Sequence, residues 1–281
     1  MNRKAIFSAG NVAVVTGAGL GIGKAMAMRL AETGMSVVMA DLESDDFDAS
    51  LESARKIAKS GPQAVLGVVS DVSEPEQVAR LRDQTMETFG KVNFLANNAV
   101  TRIGRGFDAE LDEWRRAIDV NLWGPILGVR TFLPAMLDGT GPGAIVNVGS
   151  KQGITNPPGH PVYNIAKSAI KTYTEALQHQ LRNISDNQGD GRVSAHLLIP
   201  GWTTSGKAAH KPGAWLPKQV VDMMVSTIAR DSFYILCPDD EVTPEMDRKR
   251  ILWSAEDIIE DRPPLSRWHP DFAELAKAAC S

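Results

Sequence analysis

Short runs of consecutive apolar residues alternate along the chain with longer stretches in which apolar positions recur every three or four residues. The short runs, rich in valine and alanine, fall at residues 11–16, 36–40, 64–70, 92–96, 144–149, 192–198 and 233–236. The longer stretches fall at 21–33, 47–59, 75–89, 111–136, 161–183 and 217–229. Continuous apolar runs are strands covered on both faces, and helical stretches between them supply the covering. The pattern predicts an α/β fold. Its core is a Rossmann-like, doubly wound parallel sheet of about seven strands with helices on both faces, in a single domain.

Residues 203–216 carry little periodicity and read as a loop. Beyond 236 the pattern changes. Cys237-Pro238-Asp239-Asp240 breaks the chain, and a helix is predicted over 243–260 with Thr243 as its cap and Pro244 in its first turn. A Pro/Trp-rich tail follows at 262–270. Residues 1–236 therefore form the expected main domain. Residues 237–281 form an extension too short for its own core, expected to pack on the domain or on a neighbouring subunit.

Composition narrows the function classes. Thirty Lys and Arg against 34 Asp and Glu give a net charge of −4, which supplies no basic field for a nucleic acid. Two cysteines cannot build a disulfide framework, and five scattered histidines without HExxH or CxxC spacing give no metal site. No window approaches the roughly 20 apolar residues of a membrane span. The basic-then-apolar opening leads straight into a glycine-rich turn, so it reads as a first strand rather than a signal peptide. A cytoplasmic protein is expected.

Thr16-Gly-Ala-Gly-Leu-Gly-Ile-Gly23 lies where the first strand ends and a helix begins. Glycines there let the backbone turn sharply and approach a pyrophosphate, whose charge the helix N-terminus meets. Asp41 ends the second strand, where a carboxylate can accept from ribose hydroxyls and repel the extra phosphate of NADP. No basic residue follows it (Leu42, Glu43 and Ser44 come next), and position 20 is leucine, so NAD is favoured over NADP. The plain alternative for Asp41 is a helix cap. Asp71-Val72 and Asn97-Asn98-Ala99 end the third and fourth strands at the same carboxyl edge. Asp71 is placed to accept from an adenine amino group, Val72 to touch the ring, and Asn97 to brace the strand ends.

Tyr163 and Lys167 stand four residues apart on one helix, which puts both side chains on one face. A tyrosine is by itself a poor base near neutrality, and a nearby ammonium favours the phenolate. The pair becomes a credible acid/base for a hydroxyl–carbonyl couple; an unremarkable amphipathic-helix pair is the alternative. Ser150, after the fifth strand, can hydrogen-bond a reacting oxygen. Asn121 is a mediocre residue for a helix interior, which suggests a polar task or a solvent-facing position.

In order along residues 10 to about 236, the sequence carries TGAGLGIG, Asp71-Val, Asn97-Asn-Ala, Asn121, Ser150, Tyr163-Asn-Ile-Ala-Lys167 and Pro200-Gly-Trp-Thr203. The set resembles the short-chain dehydrogenase/reductase family in its compact single-domain branch. The resemblance implies Tyr163 as general acid/base and Lys167 as the group that lowers its pKa and binds the nicotinamide ribose. It implies Ser150 polarising the substrate oxygen and Asn121 holding a water that links Lys167 to solvent. It implies a cofactor held by Gly17, Gly19, Leu20, Gly21, Ile22 and Gly23, by Asp41, Leu42, Asp71 and Val72, and by Asn98 and Ala99. Pro200, Gly201 and Thr203 join Tyr163 and Lys167 at the nicotinamide end. Family members are usually tetramers or dimers, with helices 111–136 and 161–183 at an interface. Two departures are mild: Val100 stands where glycine is usual, and Gly149 where a second serine is frequent.

The implied function is hydride transfer between NAD(H) and a small-molecule secondary alcohol or ketone. Gln152, His160 and Trp202 would line the substrate pocket with Ser150 and Tyr163. Lys151, Pro158, Pro161 and Trp215, in the lid 203–216, would complete the pocket; Lys151 reads as a surface lysine, with pairing to an acidic group the alternative. The competing readings are a non-catalytic NAD sensor or scaffold on the same fold, and an epimerase or dehydratase acting on nucleotide sugars.

Overall fold

In the computed structural model, residues 2–188, 192–204, 206 and 208–280 are described. Seven strands form one wholly parallel sheet: β1 (Val12–Thr16), β2 (Ser36–Asp41), β3 (Val65–Val69), β4 (Phe94–Asn97), β5 (Gly143–Val148), β6 (Val193–Ile199) and β7 (Tyr234–Leu236). Their order is β3-β2-β1-β4-β5-β6-β7, so the winding reverses between β1 and β4. That reversal opens a crevice at the carboxyl edge, where ligands bind in such sheets.

The helices are α1 (Gly21–Thr33), α2 (Asp45–Ile57), α3 (Pro75–Phe89), α4 (Leu111–Ile118), α5 (Gly124–Asp138), α6 (Gln152–Thr155), α7 (Pro161–Gln188), α8 (Pro217–Ala229), α9 (Pro244–Ile259) and α10 (Ala273–Cys280). Alternation along each strand divides the core into two layers. Ala13 and Val15 pack with Met26 and Leu30 of α1, Phe47 of α2 and Met224 of α8. Val14, Val38 and Ile145 pack on the other face with Leu81 of α3, Phe132 of α5 and Leu177 of α7. Burying each of the larger of these side chains, from Val to Phe, contributes roughly 1.5–3 kcal/mol.

Two expectations need correcting. The helix predicted over 111–136 is interrupted: Asp119–Trp123 form a π-helical turn, in which the Gly124 N–H bonds back to the Asp119 carbonyl five residues earlier. The helix predicted from residue 47 starts at Asp45, because the Ser44 hydroxyl accepts from the Phe47 N–H and three aspartates fill its first turn. The short helices α6 and α10 were not legible in the periodicity. The loop after β6 is tied at its base, where Thr203 bridges Trp215 and the Trp215 N–H bonds to the Trp202 carbonyl at 2.9 Å.

In the extension, Thr243 caps α9 by accepting from the Met246 N–H at 3.2 Å. α9 packs on α6, and α10 packs back on α9 through Trp253, Phe272, Ala276 and Cys280. No described helix is long and apolar enough to cross a membrane. Among the described residues, no group of three or more His, Cys, Asp or Glu is arranged to hold a metal ion.

Candidate active site

A cavity of about 1000 Å³ opens at the carboxyl edge of the sheet and runs from the glycine turn to Tyr163. At one end, Gly17 and Gly21 take positive φ angles of 63° and 56°, carrying the chain from β1 into α1. No side chain caps α1, since Leu20 is its N-cap residue, so the first amides remain free for an anion. A Cβ on Gly23 would sit inside the contact radius of the Gly17 carbonyl and the Asn98 amide. The Asn98 amide donates to the carbonyls of Thr16 (2.9 Å) and Gly17 (3.1 Å), which fixes the turn from behind.

Asp41 stands beside this turn on the cavity wall with Leu42. Its carboxylate accepts from the N–H groups of Gly19 (2.7 Å) and Leu42 (2.8 Å) and does not cap α2, whose cap is Ser44. Asp71 and Val72 line the same stretch. Arg116 of α4 pairs with Asp71 at 2.6 Å and also donates to the Ser73 hydroxyl, which itself bonds Asp71 at 2.7 Å. Burial works to raise the Asp71 pKa, but these hydrogen bonds and the Arg116 charge prevail and hold the carboxyl below its ordinary value. The Ser70 hydroxyl is buried there without a partner among the described residues. An uncapped helix start, a turn whose Gly17 and Gly21 take positive φ angles, and a carboxylate at the β2 end fit a nicotinamide dinucleotide.

The other end gathers Ser150, Gln152, Tyr163, Lys167, Pro200 and Gly201, with Ala99, Trp202 and Thr203 nearby on the wall. Tyr163 is buried, and the Lys167 ammonium lies 5.6 Å from its ring centroid. Lys167 itself donates to the Val148 carbonyl at 2.7 Å. Burial, and secondarily the charge of Arg102, push its pKa down to about 7. The Ser150 hydroxyl accepts from the Gln152 N–H at 3.2 Å, so its own proton stays available for a substrate oxygen. The Gln152 Oε1 is buried with no partner among the described residues.

Several predicted site residues stand off the cavity wall, Pro158, Pro161 and Trp215 among them. Gly19 reaches it through Asp41, and Gly23 lies beneath the turn. His160 is buried against Tyr163, with the rings stacked at 5.3 Å, and burial depresses its pKa, helped by Arg105 and Arg102. Asn121 is fully buried in the π-helical turn, where its amide accepts from the Thr101 N–H (3.1 Å) and donates to the Thr101 carbonyl (2.9 Å). Asn121 is thus not solvent-facing, and its amide is engaged with the Thr101 backbone. Asn97 donates to Asn147 at 2.8 Å, and Asn147 to Thr174 at 3.0 Å, tying β4, β5 and α7 together.

Lys151 is not a surface residue. Its ammonium lies 2.7 Å from Asp247 of α9 and 3.5 Å from Asp239, all three largely buried. Asp239 also accepts from the Trp202 N–H at 2.9 Å. Arg102 likewise escaped sequence reasoning: its guanidinium lies 4.7 Å above the Tyr163 ring, and it follows the Asn98-Ala99 motif on a loop with no periodicity to mark it. Only the spatial approach to Tyr163 reveals it.

A family model described as short chain dehydrogenase matches residues 11–211. The chain is 38% identical over 239 residues to 3beta-hydroxysteroid dehydrogenase 1 of Eggerthella lenta, covering 78% of this chain and 90% of that one. It is 35% identical over 173 residues to SadH of Mycobacterium tuberculosis, named as an oxidoreductase, and the match spans only 61% of the length of either protein. A crystal structure of a short chain dehydrogenase/reductase from Burkholderia phymatum in complex with NAD superposes with a TM-score of 0.80 at 30% identity, covering 92% of this chain and 97% of that one. A metagenomic short-chain oxidoreductase in complex with NADP gives a TM-score of 0.66 at 26% identity, covering 82% and 98%. Sheet order, glycine turn and family match agree, and this chain belongs to the short-chain dehydrogenase family.

Proposed function

We propose that this protein interconverts a secondary alcohol and its ketone by hydride transfer with NAD(H) in preference to NADP(H), using Tyr163 as the general acid/base. The observation that carries the reading is the buried Tyr163 beside Lys167, in one cavity with Ser150 and the glycine turn. When bound, the nicotinamide supplies the hydride acceptor or donor. The chain's own residues handle the proton and the orientation. Tyr163 takes the hydroxyl proton in the oxidative direction, and Lys167 favours the phenolate that does so while it is charged, which a pKa of about 7 confines to pH near 7 or below in the free protein. Ser150 donates its free proton to the substrate oxygen and holds it beside the phenol. Asp41 supports NAD, because a phosphate on the adenosine ribose would meet its carboxylate with no basic residue following it in the chain.

NADH formation by wild type and Tyr163→Phe, with NAD or NADP and a panel of secondary alcohols, tests this. Turnover with NAD that falls by at least ~10²-fold in the variant, with NADH binding retained, is the expected result. NADH binding without turnover of any alcohol would favour the sensor, and equal use of both cofactors would remove the NAD preference. The exposed Leu111, Trp123 and Ile165 on α4, α5's approach and α7 support a homo-oligomer burying those helices, which sedimentation velocity would reveal.

A further inference from the structure

The catalytic end of the cavity holds a cation that the proposed hydride transfer does not use. Arg102 directs its guanidinium over the Tyr163 ring at 4.7 Å, with Nη2 3.5 Å from the phenol oxygen, at the limit of a hydrogen bond. No carboxylate lies within ion-pair reach of it among the described residues. The acidic groups on the cavity wall, Asp41 and Asp71, stand at the opposite end, and Asp71 is already paired with Arg116. The other cation beside Ser150, Lys151, is consumed by Asp239 and Asp247.

Arg102 is itself exposed, but the loop that carries it is held in place. The residue before it is fixed by both hydrogen bonds of the Asn121 amide. Beyond it, the Ile103 carbonyl meets His160 Nε2 at 3.4 Å, and the Gly106 carbonyl accepts from Trp114 at 3.3 Å. Arg102 and Arg105 of this loop also line a shallow groove with Asp108, Glu110 and Glu113, none of which pairs with Arg102 among the described residues. A guanidinium fork left without a carboxylate, on a braced loop and facing the reacting position, is built for an acid group supplied from outside.

We propose that the substrate is an anionic alcohol or keto acid whose carboxylate is bound by Arg102, close to the oxygen handled by Tyr163. This deepens the dehydrogenase reading and rests on it for the word substrate. The Gln152 Oε1, buried and unpartnered on the same wall, then accepts from a further donor on that molecule. The fork grips two oxygens in one plane, so the acid group fixes the orientation of the carbinol carbon as well as adding affinity.

The test is calorimetric titration of the NADH-bound protein with cyclohexanecarboxylate, benzoate and octanoate, each against its neutral amide. At least one carboxylate is expected to bind tenfold or more tightly than its amide. That ratio should collapse towards one in Arg102→Met, recover in part in Arg102→Lys, and persist in Arg105→Met on the same loop. The ratio is internal to each variant, so a general loss of folding does not imitate the result. Three results would overturn the proposal: no carboxylate preferred over its amide, a preference surviving Arg102→Met, or a preference lost only in Arg105→Met. A protein that binds no NADH refutes the dehydrogenase reading instead, and the same titrations on the free protein still decide for or against Arg102.

Discussion

Lys167 is almost wholly buried, among the described residues the Val148 carbonyl alone accepts from its ammonium, and burial, helped by the Arg102 charge, lowers its pKa to about 7. An unfolded lysine titrates near 10.4. Between about pH 7 and pH 10 the unfolded chain therefore holds a proton that the folded chain has released. Stability gains up to ~1.4 kcal/mol per pH unit from this residue as pH rises through that window, and below it the deficit is constant. Cys237, which burial pushes up to about 12, acts in the opposite sense above pH 9, so the difference between two proteins is the quantity to read. Urea unfolding of free wild type and Lys167→Met at pH 7 and 9 should show the wild type gaining on the variant as pH rises. Identical pH slopes would mean that Lys167 keeps its charge when folded. At the adenosine end, Asp41→Ser should raise NADP use relative to NAD by roughly tenfold or more, read as the ratio of kcat/KM values; an unchanged ratio would remove Asp41 as the discriminator.

At the scale of elements, the join between α6 and α9 is electrostatic. Lys151 lies just after Ser150, and its partners Asp239 and Asp247 both come from beyond β7. Burial raises the Asp247 pKa, with the Asp239 charge adding to it and Lys151 opposing both. Removing the cation leaves two buried carboxylates facing each other, and Lys151→Met should cost ~3 kcal/mol or more at pH 7. Asp247→Asn leaves one carboxylate for Lys151 and should cost less. A carboxylate whose folded pKa is raised favours folding at low pH, so the gap between Lys151→Met and wild type should narrow from pH 7 to pH 5. A gap that widens would show that the uncompensated carboxylates are not what destabilises Lys151→Met. None of this was legible in the sequence, because Lys151 and Asp247 are far apart in the chain and neither sits in a motif. The strands were legible for the opposite reason: Val14 and Val15 face different layers, both apolar, so burial is written into consecutive residues. The π-helical turn falls between. Asn121 was conspicuous as a residue, but a one-residue widening leaves the helical periodicity on either side intact and so hides the break.

Over the whole molecule, the extension is attached to the domain at one end and to itself at the other. α9 meets α6 beside Ser150 and delivers Asp247 to Lys151, whereas α10 reaches the rest of the protein through Trp253 and its neighbours on α9. The two helices should therefore fail differently when removed. Ending the chain after Val242 deletes Asp247, uncovers α6 and leaves Lys151 with Asp239 alone. A loss of ~3 kcal/mol would lower the unfolding midpoint by roughly 6–12 °C in a domain of this size. Since α6 begins at Gln152, whose N–H bonds the Ser150 hydroxyl, turnover should fall with it. Ending the chain after Phe272 removes only α10, and should shift the midpoint by less than half as much with turnover kept. Calorimetry and NADH formation on the two truncations and the full chain check this. If the shorter truncation unfolds as early as the longer one, the stabilising contact lies in the α9–α10 cluster; if neither changes turnover, the extension does not hold Ser150 in place.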